Sequence, residues 1–172
     1  KQTSGFRLAF PKLSMYSYVF DCYRDDFNKE KAAHIVHDIE CALYLLNGGK
    51  EASKAIDPMS AVTDNAICGK SLGKSITFTF FTGSFYKNGT MKLKFKSSAK
   101  RLIDRLNIFV GMNRGWLPAD YGTKPYDALS EAEKETIDSF QSREEYEEVV
   151  ANPDKYIVKD FDIDTLLDAK EF

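Results

Sequence analysis

Between residues 29 and 46 the apolar side chains Ala32, Ile35, Val36, Ile39, Leu43 and Leu46 recur at three- and four-residue spacing. That period predicts an amphipathic helix with one buried stripe. Asn28 is placed to cap its start, and Asn47-Gly48-Gly49 to end it through a left-handed residue. A second helical pattern runs from Ser98 to Val110. It turns Ala99, Leu102, Ile103, Leu106, Phe109 and Val110 inward and Lys100, Arg101, Asp104 and Arg105 outward, with Gly111 expected as its stop. Between the helices the period changes to two. Ile76-Thr77-Phe78-Thr79-Phe80 alternates strictly, and so does Thr90 to Lys96. Asn88-Gly89 in front of the second run predicts a hairpin with a two-residue turn, because both turn positions favour positive φ. Such a turn pairs Lys87 with Thr90, Tyr86 with Met91 and Phe85 with Lys92. Tyr86, Met91, Leu93 and Phe95 then face the core, and Phe85, Lys87, Lys92, Lys94 and Lys96 face away. Gly83-Ser84 reads as a bulge or a bend.

The remaining pattern is less regular. Phe6 to Phe10 alternates and ends at Pro11, as a short edge strand does. Met15 to Phe27 is aromatic-rich, and its period fits strand and helix equally. Glu51 to Ile56 reads as a short helix halted before Pro58, and 57–75 as a polar loop. Trp116 and Tyr121 are expected to pin an ordered loop over 116–122. Ser130 with Glu133, and Ser142 with Glu145, are capping boxes that start helices to about Phe140 and Ala151. Asp160 to Phe172 reads as a last helix or a tail. The fold class expected is α+β: an antiparallel sheet with a central hairpin, packed against two or more helices, with an acidic helical C-terminal segment. The expected division is a core over 1–128 and the acidic segment over 129–172, packed on the same domain.

Charge changes this picture. The 172 residues carry a net charge of -2, but residues 1–69 sum to -1, 70–116 to +9 and 117–172 to -10. The basic block is either a footprint for a polyanion or a surface neutralised by the acidic helices. With 43% hydrophobic and 13% aromatic residues a sizeable core is available, and the composition argues against disorder. No apolar run is long enough for a membrane helix, so no membrane partner is expected. Lys1 to Gly5 has no signal-like apolar stretch, and the absence of an initial Met fits a trimmed or processed chain. Three cysteines without a close pair suggest a reducing, cytoplasmic setting.

Candidate chemistry is sparse. Gly69-Lys70-Ser71-Leu72-Gly73-Lys74-Ser75 imitates a phosphate-binding loop, but the first Gly is one residue too close to the second Gly-Lys-Ser. A strand also follows where a helix is required. His34, His37, Asp38 and Cys41 share one helix face, opposite the apolar stripe, and are ligand types for zinc, but no second cluster completes a site. No catalytic residue and no cofactor is expected. The lysine face of the hairpin is different. Phe85, Lys87, Lys92, Lys94 and Lys96, followed by Lys100, Arg101 and Arg105, combine cations with an aromatic ring on a sheet, a pattern that holds DNA or RNA strands. The competing account is that lysines protect an exposed strand from aggregation.

Three stretches carry a family likeness: Asp38-Ile39-Glu40-Cys41-Ala42-Leu43-Tyr44-Leu45-Leu46-Asn47-Gly48-Gly49-Lys50, Phe85-Tyr86-Lys87-Asn88-Gly89-Thr90-Met91-Lys92-Leu93-Lys94-Phe95, and Leu102-Ile103-Asp104-Arg105-Leu106-Asn107. They resemble the C-terminal part of domain-of-unknown-function family forty-nine forty-two. Asn47 replaces an Asp of its pattern, and Thr90 and Lys92 replace an Asn and a His. The resemblance implies a prophage or conjugative-element protein, in a family often joined to or beside adenine DNA methyltransferases. It supplies no catalytic residue, and the methyltransferase Asn/Asp-Pro-Pro-Tyr/Phe motif is absent from this sequence. The expected function is a non-enzymatic module of a bacterial mobile element that binds nucleic acid through a basic sheet face. The alternative is a protein-interaction module docking on a DNA methyltransferase or another mobile-element protein.

Overall fold

The computed structural model describes residues 8, 10–16, 19–21, 26–48 and 75–158. Most of the strand expected at 6–10, the helix at 51–56, nearly all of the loop at 57–75 and the segment from Asp160 lie outside them. The described residues fall into two compact units, one within 10–100 and one made of Leu8 and 101–158. The units divide between Lys100 and Arg101.

In the first unit the expected helix forms as α1, Lys29–Leu46, with Asn28 accepting a hydrogen bond from the Lys31 N–H. Its buried side holds Ala32, Ala33, Val36, Leu43 and Leu46, but also Glu40 and Cys41. Ile35 and Ile39 are only half-buried, so the stripe is rotated from the expected one. Four strands make an antiparallel sheet: β1 (Lys12–Tyr16), β4 (Ile76–Thr77), β5 (Phe81–Phe85) and β6 (Thr90–Phe95), in the order β1-β6-β5-β4. β2 (Phe20–Asp21) and β3 (Asp26–Phe27) pair separately. The strand expected over 76–80 is interrupted: the Phe78 N–H donates to the Phe81 carbonyl, so the chain turns through Thr79-Phe80. Gly83 then lies inside a continuous β5, with no bulge.

The β5–β6 hairpin corrects the expected register. Tyr86 N–H donates to the Thr90 carbonyl and Gly89 N–H to the Tyr86 carbonyl, a three-residue loop with Gly89 at φ 78. Type I turn plus left-handed glycine is the next commonest hairpin solution after the two-residue turn. The extra residue slips β5 by one position, so Phe85 opposes Met91 and Ser84 opposes Lys92. A slip of one flips every side chain of the strand. Phe81 and Phe85 thereby enter the core beside Met91, Leu93 and Phe95. The Phe85 ring meets Phe27 edge-on at 5.5 Å, and Phe81 meets Phe95 at 5.7 Å. Burying two Phe rings stabilises by about 1.5–3 kcal/mol each, more than a local turn preference can offset.

In the second unit α2 (Lys100–Asn113) follows a short 3-10 turn and passes through Gly111 instead of stopping there. Leu117 packs so closely that a Cβ on Gly111 would stand 2.9 Å from its Cδ1. The buried Asn107 amide accepts from the Leu8 N–H and donates to its carbonyl. Both capping boxes form, starting α3 (Glu131–Phe140) and α4 (Arg143–Ala151), and α5 (Pro153–Tyr156) follows. Ile108, Leu117, Tyr121, Ile137, Tyr146 and Val149 make the core of this unit. Leu117 and Tyr121 anchor the loop, with Trp116 only half-buried. The fold is α+β, and no described helix is long and apolar enough to cross a membrane.

The slipped register predicts unequal costs at adjacent positions. Phe85→Ala should lower stability in urea unfolding by about 3–5 kcal/mol, and Tyr86→Ala by about 1 kcal/mol.

Candidate functional site

The alternation that sends Phe81, Phe85, Met91, Leu93 and Phe95 inward sends a second set of side chains to the other face of the sheet. Cross-strand pairing arranges them in rungs. One rung is Lys12, Lys94 and Thr82, contributed by β1, β6 and β5; the next is Ser14, Lys92 and Ser84. Lys12, Lys92 and Lys94 are exposed. Together with Leu13, Ser75 and Leu93, these residues line a concavity of about 430 Å³. No carboxylate is among its described lining residues. Like charges directly opposite each other on neighbouring strands are destabilising. Lys12 opposite Lys94, with Lys92 on the same face, therefore concentrates positive charge at a cost that an anion relieves. Lys92 lies between the hydroxyls of Ser14 and Ser84, and Lys94 has that of Thr82 on one side, which adds neutral donors. The arrangement offers ammonium and O–H groups to the oxygens of an anion such as a phosphodiester.

The other expected residues are placed as follows. Phe85 is buried at 1% exposure and presents no ring to this face, because of the register slip. Tyr86 stands there instead: its half-buried ring lies beneath the Lys92 ammonium, 5.1 Å from Nζ to centroid. Lys87 is at the hairpin loop, with its ammonium 5.5 Å from the Phe20 ring centre. Lys96 is turned to a structural task, donating from Nζ to the carbonyls of Phe78 at 2.7 Å and Thr79 at 2.8 Å. Lys100 is exposed at the start of α2. Arg101 is exposed and Arg105 half-buried, both on α2 in the second unit. Burial, and then the Arg101 charge, push the Arg105 guanidinium below its ordinary value.

The α1 cluster does not assemble. His34 and Asp38 are exposed and His37 is half-buried, whereas Cys41 is buried and so is not on a face opposite the core. Cys41 Sγ lies 3.3 Å from His37 Nε2. Burial, followed by the Asp38 and Glu40 charges, pushes the Cys41 thiol up, away from the thiolate that metals and electrophiles require. Among the described residues no group of three or more His, Cys, Asp and Glu side chains is placed to hold a metal. Of the phosphate-loop imitation only Ser75 is among the described residues, exposed directly before β4.

Sequence reasoning missed Lys12, Ser14, Thr82, Ser84 and Tyr86. A signal existed for the first two: Lys12-Leu13-Ser14-Met15 alternates polar and apolar, the strand period. It also missed Glu40. This carboxylate is buried at 1% exposure and accepts hydrogen bonds from the Thr79 and Phe80 N–H groups at 3.3 and 3.0 Å. Glu40 and Lys96 thus take the donors and acceptors of the β4–β5 turn from opposite chemical sides.

A family model described as Domain of unknown function (DUF4942) matches residues 7–116. The chain belongs to this family. The DUF4942 match begins ahead of β1 and so includes Lys12 and Ser14 along with the β5–β6 hairpin, α1 and α2. It ends at Trp116, before the capped helices α3 and α4. No curated protein and no solved structure matches the chain.

The two roles of the lysines separate in a thermal or urea melt. Lys96→Ala should destabilise by about 1–3 kcal/mol through lost charge-assisted hydrogen bonds. Lys12→Ala and Lys94→Ala should leave stability unchanged or raise it by a few tenths of a kcal/mol, about the size of a relieved like-charge pair.

Proposed function

We propose that this DUF4942 domain is a non-enzymatic nucleic-acid-binding module, and that its open sheet face holds the phosphate backbone. The observation that carries this reading is the Lys12–Lys94 rung beside Lys92, lined with hydroxyls and with no carboxylate among the described lining residues. Edge protection explains a lysine on β1, an outer strand. It does not explain Lys92 and Lys94 on β6, which is paired on both sides. Lysines and hydroxyls contact phosphate without reading base identity, so the binding expected is sequence-independent. The family likeness to prophage and conjugative-element proteins, and to neighbours of adenine methyltransferases, supports a setting in which a DNA or RNA ligand is at hand in a bacterial cytoplasm. The alternative, docking on a DNA methyltransferase or another protein, draws on the charge polarity of +9 against -10 along the chain.

Binding of labelled oligonucleotides followed by anisotropy across a salt series tests the proposal. Neutralised phosphates release counterions, so affinity should fall steeply with salt. Replacing Lys12, Lys92 and Lys94 together by Ala should reduce the slope magnitude by about 2 for a single strand and about 3 for a duplex. Lys96→Ala should leave the slope alone. Absence of binding to every single- and double-stranded probe at low salt would sink the proposal. A protein partner retained after nuclease treatment would favour the docking alternative.

A further inference from the structure

We infer that the nucleic acid taken by this face is single-stranded and that Tyr86 is the position on which one of its bases stacks. The inference rests on the phosphate-binding reading and deepens it. Three rungs follow one another along β6, at Lys94, Lys92 and Thr90, and Tyr86 flanks the third through its hydrogen bond to Thr90. Successive rungs on one face are about 7 Å apart, two residues of an extended strand. An extended nucleic-acid strand sets neighbouring phosphates at comparable spacing, so two of them can sit over Lys94 and Lys92 with the next base over Tyr86.

The contact between Lys92 and Tyr86 supplies the coupling. In the free protein the Lys92 ammonium occupies the Tyr86 ring face, 5.1 Å from its centroid. A phosphate at the second rung offers that ammonium a charge-assisted hydrogen bond, stronger than an exposed cation–ring contact. Drawing Lys92 to the phosphate uncovers the ring face, and the base attached to that backbone is the group within reach. Base–aromatic stacking tolerates any base, in keeping with sequence-independent binding. The neighbouring concavity, of about 430 Å³, is at the small-ligand scale. A duplex keeps its bases stacked on one another and has no free base face for Tyr86.

The test compares three labelled probes of equal phosphate count at one low salt concentration: a twelve-residue oligothymidylate, an abasic strand of the same length, and a hairpin duplex. The oligothymidylate should bind wild type at least ~10-fold more tightly than the other two, the scale of one stacked base. Tyr86→Ala should weaken oligothymidylate binding by about 5- to 100-fold. Its salt slope and its affinity for the abasic strand should stay unchanged, the latter also reporting that the variant is folded. Tyr86→Phe should bind as wild type. Equal affinity for the duplex or the abasic strand, or a Tyr86→Ala effect that persists on the abasic strand, overturns the inference and leaves phosphate binding standing. No binding to any probe overturns both.

Discussion

The two-residue turn Thr79-Phe80 is held by groups of opposite charge, and the sheet depends on it. Glu40, buried on α1, accepts from both turn N–H groups, and Lys96, just past β6, donates to the carbonyls of Phe78 and Thr79. Buried backbone groups left without partners are costly, and a buried carboxylate without donors more so. Each therefore requires the other. The result ties a helix, a hairpin turn and a strand end at one point. It fixes where β5 starts, and with it which of Phe81 and Thr82 faces inward.

From that start the face of every β5 side chain follows. Phe81, Gly83 and Phe85 go to the core; Thr82, Ser84 and Tyr86 go to the lysine face. The same alternation on β6 and β1 adds Lys92, Lys94, Lys12 and Ser14. The core and the basic grid are two consequences of one register. Moving it by one residue would send Phe85 among the lysines and Ser84 into the core. The lysine face costs stability where Lys12 opposes Lys94, and an anion returns that cost on binding.

How far the sequence could be read depended on whether the deciding interaction was local. The helix at 29–46 and both capping boxes were legible because period, Asn28 and the Ser–Glu pairs act within a few residues. The hairpin was legible as a hairpin, but its loop length was not. Asn88-Gly89 favours a two-residue turn locally, and the burial of Phe81 with Phe85 prevails. Hence the aromatic ring beside Lys92 is Tyr86, where the sequence pointed to Phe85. Glu40 could not be read at all, because nothing near it distinguishes a buried acceptor from a solvated acid; its partners lie 39 and 40 residues away. Gly111 looked like a helix stop because glycine commonly is one, whereas here it lies inside the helix with Leu117 packed close against it.

Amide chemical shifts on titrating the protein with a short single-stranded oligonucleotide test the central claim directly, since they locate the ligand without altering a residue. The account predicts perturbations at 12–14, 82–86 and 90–94, the strands that carry the grid. Perturbations confined to 101–158, with these strands unmoved, would contradict it.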